Sequence, residues 1–432
     1  METLNIQKQK SLSIMTSKFF LVFSFLTISV FKSIGIIAIF FIFLFIILQK
    51  NKVYLLNEDI FIVIFFYLQF FISFFITSIP LLFILKSNYV EFYPGIFGRL
   101  ANIILYFTIF LFIIDERNRK NISTKILLKA YIAGCYILLF FGLWQILNML
   151  FNIPYPNFIT RSEIHSVNTS NLFSFFKIRI TSIAQEPAYL IPYLIDAIII
   201  LFYTSKNYLS IFLMTIVIFF TLSLSGYINL FLITIIMFIF IKNTKLNLVV
   251  KLLFLFLSAS IIYFLRPIIF IVIQRFNPSV LFSSSRLQEM IIPLNYMLFD
   301  APVFSKIFGF GPKGMGYLSS FLTYRSGWLT GENITVTTHF IFIDFFVEHG
   351  IFGLIVIIYL FYYLFKLSTK VYIKTNNRLA QVLFFNLFIT SLYTSDYASP
   401  RFSIILIFLL CLYKDAIWHN GTKYQIFLIK GV

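Results

Sequence analysis

Long apolar stretches interrupted by short polar breaks run along this chain from Phe19 to Tyr413. Roughly 20 apolar residues of helix cross the hydrocarbon core of a bilayer. On that measure the pattern predicts spans near 19–31, 34–49, 60–85, 97–114, 126–150, 187–203, 208–224, 227–241, 248–272, 351–366, 379–395 and 401–413. The pair around Lys32 and Gly35 also reads as a shallow hairpin. The expected fold class is all-α. It is a polytopic integral membrane protein of about 12 transmembrane helices, one membrane domain over 1–432, with two large outward-facing loops at 151–186 and 273–338.

Polar residues between the spans fix the expected sidedness. Alternate short loops carry Lys50 and Lys52, then Arg117, Arg119, Lys120 and Lys125, then Lys206, then Lys242, Lys245 and Lys251, then Lys366, Lys370, Lys374 and Arg378, and last Lys414, Lys423 and Lys430. The excess of Lys and Arg on the cytoplasmic side puts these loops and both termini in the cytoplasm. The two long loops then face outward, and the outward side holds Arg161, Arg179, Arg266, Arg275, Arg286 and Arg325. Cationic loops on the side expected to be poor in Lys and Arg call for an anionic ligand.

Composition agrees with a membrane protein: 60% hydrophobic and 12% charged residues, with a mean hydropathy of +0.94. The formal charge of +18 sits in membrane-flanking loops and points to no nucleic acid. Cys135 and Cys411 fall inside expected spans, so neither a disulfide nor a metal framework is expected. The first apolar stretch lacks a small-residue cleavage site and reads as an uncleaved span.

Chemistry is expected in three places. In the first loop, Arg179 and Glu186 precede Pro187, a residue suited to the first turn of a helix. Glu186 also reads as a dipole-matched cap, and Arg179 as a lipid-snorkelling side chain. In the second loop, Arg275 and Arg286 carry the planar fork that pairs bidentately with phosphate. Ser283 to Ser285 are suited to cap a helix opened by Arg286, and the glycines of "IFGFGPKGMG" permit tight turns. His339 stands where the chain re-enters the membrane, and its near-neutral pKa suits a general base. A structural histidine is the competing reading. On a continuous helix, Gly350, eleven residues on, would share its face about 16 Å away. Asp344 and Glu348, four apart, would share another face and pair with a nearby Arg or orient a partner. His349, just before Gly350, reads as part of a helix break. Neither Cys/His metal spacing nor an Asp-x-Asp motif occurs, so no metal and no cofactor is expected.

Four segments together resemble the O-antigen polymerase and O-antigen ligase superfamily of bacterial polytopic membrane proteins. They are "RITSIAQEPAYL", "TLSLSGYINLFLITIIMFIF", "SSSRLQEMIIPLNYMLFDAPVFSKIFGFGPKGMG", and His339 followed by ten residues and Gly350. The likeness covers about 175–366. The second segment departs from the family's Ser-Arg-Gly-Gly opening, since Tyr227 follows Gly226 and the Arg is missing.

The resemblance implies a glycosyltransferase in the bacterial inner membrane. It would move a glycan from undecaprenyl diphosphate to the terminal sugar hydroxyl of another lipid-linked repeat unit. Arg179, Arg275 and Arg286 would bind the diphosphate, His339 would activate the hydroxyl, and Glu186 would position Arg179 or a sugar. Membrane lipids and the lipid-linked oligosaccharide are the expected partners, with a chain-length regulator protein a further candidate. Two rivals stand beside the polymerase: a ligase that delivers finished glycan to lipid A core, and a flippase for the same lipid. Lys129 and Asp196, inside expected spans, are the flippase's best support.

Overall fold

Capping residues mark where these helices begin and end. Ser123 accepts from the Ile126 N–H, Asn207 accepts from the Ser210 N–H, and Asn152 and Asn376 close helices in the left-handed conformation. The structure, a computed structural model, describes residues 52–79, 93–155, 179–184, 187–240, 285–314, 318, 339–394, 397–418 and 427–430. Its helices are α1 (Asn57–Ser78), α2 (Tyr93–Asn118), α3 (Thr124–Phe151), α4 (Pro187–Thr204), α5 (Tyr208–Phe220) and α6 (Leu224–Phe240). There follow α7 (Ser285–Asn295), α8 (Val303–Phe308), α9 (Ile341–Thr375), α10 (Leu379–Ser391) and α11 (Pro400–Trp418). Two π-helical stretches, Val63–Leu68 and Phe74–Ser78, widen α1, and a third, Tyr296–Asp300, extends α7.

Five of the helices are long and apolar enough to cross a membrane. The expected spans at 208–224 and 379–395 are α5 and α10, of 13 residues each. At 1.5 Å per residue each is about 20 Å long, short of the about 30 Å hydrocarbon core. The expected spans 19–31, 34–49 and 248–272 lie outside the described residues. Within 273–338 the described residues hold α7, α8 and the turn after α8. One small departure from an all-helical fold is an antiparallel ribbon, in which Lys52–Leu55 pairs with Phe427–Lys430.

Helices α4 and α11 are buried almost all round, from Leu190 to Leu201 and from Phe402 to Cys411, and form the centre of the bundle. Others show a continuous apolar stripe outward: Ile351, Ile355, Ile358, Tyr362 and Phe365 on α9, and Ile228, Leu232, Ile235 and Ile239 on α6. Stripes of that length would be costly against water and suit lipid. The protein is membrane-embedded.

Cations from the expected basic loops gather at one end. Lys414 donates to Asp59 at 2.6 and 2.8 Å and to Asn118 at 2.7 Å. Arg117 pairs with Asp415, and Arg119, over the Tyr54 ring, donates from Nε to both oxygens of Asp115. Lys370 lies over Tyr413, and Arg378 over Tyr372 and Phe240. The opposite end is built from the ends of α1, α3 and α5, the start of α4, and the turn after α8.

Candidate functional site at the opposite end

The chain enters α9 through His339, whose φ of +58° is left-handed, and Phe340 caps the helix at φ −127°. His339 therefore precedes the helix and is not part of it. Gly350, at φ +66° and ψ −164°, then breaks α9. These two facts correct the expectation of one straight helix presenting His339 and Gly350 on a common face. The reason is hydrogen bonding. The Val347 carbonyl accepts from the Phe310 N–H at 2.8 Å, and the Glu348 carbonyl accepts from the Gly311 N–H at 2.9 Å and from the Ser73 hydroxyl at 3.1 Å. The loop supplies donors where the next helical turn would have.

Close backbone contact makes this possible. A Cβ on Gly309 would meet the Glu348 carbonyl, and one on Gly350 would meet the Ile307 carbonyl. Both residues also hold positive φ, so only glycine fits here without strain. The reading of His349 as part of a helix break is met. Its ring is buried and lies edge-on to Phe70 with centroids 4.8 Å apart.

Asp344 and Glu348 are both buried beside Arg99 of α2. The Tyr397 hydroxyl donates to Glu348 Oε2 at 2.5 Å, and the Lys313 backbone N–H also donates to this carboxylate. Arg99 Nη2 stays 3.8 Å from Glu348 Oε1, and the guanidinium lies 4.8 Å from the centre of the Tyr397 ring. Tyr189, in the first turn of α4, is a further neighbour of Arg99. Segments far apart in sequence thus converge on one arginine.

A second cluster holds Arg179. Its Nε donates to the Thr221 carbonyl at 3.1 Å, and the Ile180 N–H donates to the Phe220 carbonyl at 3.2 Å. Leu222 turns the chain at φ +49°, and Tyr227 reaches back to the Phe219 carbonyl. Gln145 Oε1 accepts from the Thr181 and Ser182 N–H groups at 3.0 and 2.6 Å, fixing the stretch to α3. The turn between α10 and α11 bridges the two clusters, since Tyr393 accepts from Asn229 of α6 at 2.8 Å and Tyr397 donates to Glu348 of α9.

Among the expected site residues, Arg179 and His339 are described. Arg286 lies in the first turn of α7, in agreement with a helix opening there, but its side chain is outside the described residues, as are Glu186 and Arg275. Sequence reading did not find Arg99, Tyr397 or Arg401. Arginines at 99 and 401, inside or at the edge of apolar spans, were the available signal. Asp196 is buried and bound by Arg401 Nε at 2.6 Å, Tyr131 at 3.0 Å and Asn386 at 2.6 Å. Lys129 is exposed in the second turn of α3, near the basic end. No model of a known protein family matches the chain, and no curated protein is found similar to it.

Proposed function

We propose that this chain polymerises polysaccharide repeat units at the outer face of the bacterial inner membrane, with both termini in the cytoplasm. A glycan leaves undecaprenyl diphosphate and joins the terminal sugar hydroxyl of a second lipid-linked unit, with inversion and without metal. Arg179, Arg275 and Arg286 stabilise the departing diphosphate, which needs positive charge and not a proton. His339 accepts the hydroxyl's proton, and Glu186 positions Arg179 or a sugar.

One observation carries the reading. The motif segments that suggest the function pair off at the end opposite the basic loops: the Arg179 stretch with the turn before α6, and the Gly309–Gly311 turn with the break in α9. That pairing brings the quoted segments to one end of the bundle, where a lipid-linked substrate would meet them together.

A broken helix and buried charges also fit a transporter. That reading is weaker, because the Val347 and Glu348 carbonyls at the break are capped and Asp196 is matched by Arg401. The test is surface-polysaccharide length in a strain lacking the gene. Single repeats on the surface, with long chains restored only by the intact gene, support the polymerase. Long polymer stranded on the lipid carrier supports the ligase, and repeats trapped on the cytoplasmic side support the transporter.

A further inference from the structure

Arg99 stands apart from the other described arginines. Arg119 Nε donates to both carboxylate oxygens of Asp115, and Arg401 is bound twice to Asp196. Arg99 has only 10% of its side chain exposed, yet its ion pair with Glu348 at 3.8 Å is beyond hydrogen-bond reach. Its guanidinium also lies against the face of Tyr397, with Asp344 and Tyr189 as further neighbours. Glu348 is meanwhile held by the Tyr397 hydroxyl and the Lys313 N–H. A nearly buried fork without a hydrogen-bonded acceptor among the described residues has a cost that a ligand would remove.

A second cation stands beside it. The Lys313 ammonium nitrogen lies 3.4 Å from where a Cβ on Gly95 would be, and its stem is closer still. Gly95 and Arg99 are four apart on α2 and therefore share a face. The missing side chain at Gly95 makes room for Lys313 one turn from Arg99. Lys313 itself holds a left-handed φ of +64° in the turn that caps the break of α9.

We infer that Arg99 and Lys313 form a binding site for a phosphoryl anion, reading a planar oxygen pair with the guanidinium and adding a point charge from the ammonium. With Asp344 and Glu348 the four charges sum to zero, so the grip comes from donor geometry and not from a bare positive field. Taken with the proposed function, on which this assignment rests, the anion is the diphosphate of the lipid carrier. An ordinary anionic headgroup offers the same chemistry.

The full chain in phosphatidylcholine nanodiscs, titrated with undecaprenyl diphosphate and followed by native mass spectrometry, separates the cases. Arg99→Gln and Lys313→Met should each weaken retention about tenfold or more, the loss expected for a charge-assisted contact. Lys313→Met keeps the stem and backbone N–H, so it carries the test if Arg99→Gln fails to fold. Retention by both variants within twofold of the original chain would overturn the site and leave the proposed function standing. Equal displacement by phosphatidylglycerol, still dependent on Arg99 and Lys313, would keep the site and overturn its assignment to the carrier.

Discussion

Arg401 donates from Nε to Oδ2 of Asp196 at 2.6 Å in a place where neither side chain has exposed surface. The pair joins the two central helices, α4 and α11. Tyr131 of α3 and Asn386 of α10 complete the carboxylate's shell, so four helices are registered by one ion pair. Arg401→Met removes one charge and leaves the other buried, which costs about 3–5 kcal/mol. Thermal unfolding in detergent should show a large drop for Arg401→Met and for Asp196→Leu. The double variant should recover most of the loss, because no lone charge remains. A double variant as unstable as the sum of the singles would mean that the two side chains act independently, each through other partners.

Glycines give a sharper contrast. Gly350→Ala and Gly309→Ala place a Cβ against backbone atoms at positive φ, and each should cost at least about 2 kcal/mol. Gly98→Ala, on α2 with nothing within 4 Å of the added carbon, is the control and should leave stability unchanged or slightly raised. Equal melting temperatures for all three would show that the turn after α8 is not docked on the break.

The helical membrane body was legible because apolar runs of span length have few other uses. Grouping the basic loops was also legible: Lys414, Arg117, Arg119, Lys370 and Arg378 do meet at one end. The break at Gly350 was only half visible. The glycine suggests it, but the donors that produce it come from Phe310 and Gly311 some 40 residues earlier, and spacing along one helix cannot report them. Arg99 was missed for the same reason. Its meaning lies in Asp344, Glu348, Tyr397 and Lys313, which only the tertiary structure brings to it. Arg179 was found as a cation, but its bond to the Thr221 carbonyl is a tertiary fact.

At the basic end, Lys414 is buried between Asp59 and Asn118. Lys414→Met should destabilise by about 3–5 kcal/mol, since it strands Asp59 in a dry site. Being shielded, the loss should change little between low and high salt. Arg119 is partly exposed, and its replacement by Met should cost about 1 kcal/mol or less and respond to salt. Comparable losses at both positions would place Lys414 in contact with solvent.

Tyr397→Phe deletes one hydroxyl and leaves Glu348 without its 2.5 Å donor. The ring stays to face Arg99 and to pack on Phe70 and Phe345. A cost of about 1–3 kcal/mol is expected from the unsatisfied carboxylate. Glu348→Gln made on top of Tyr397→Phe should recover part of it, because the charge is gone. If Tyr397→Phe alone melts like the original chain, the hydroxyl is not holding Glu348.

His339 allows a test of chemistry separate from backbone. Its left-handed φ of +58° means that His339→Ala would combine loss of the imidazole with strain of roughly 1 kcal/mol. His339→Gly removes the ring and relaxes the turn, so it should fold and insert at least as well as the original chain. Under the proposed function both variants abolish long polymer, and His339→Gly does so without loss of protein from the membrane. Long chains made by His339→Gly but not by His339→Ala would show that the position serves the turn into α9 and not the proton. The comparison matters because either variant alone mixes the two roles, and only the glycine removes the ring while keeping the turn.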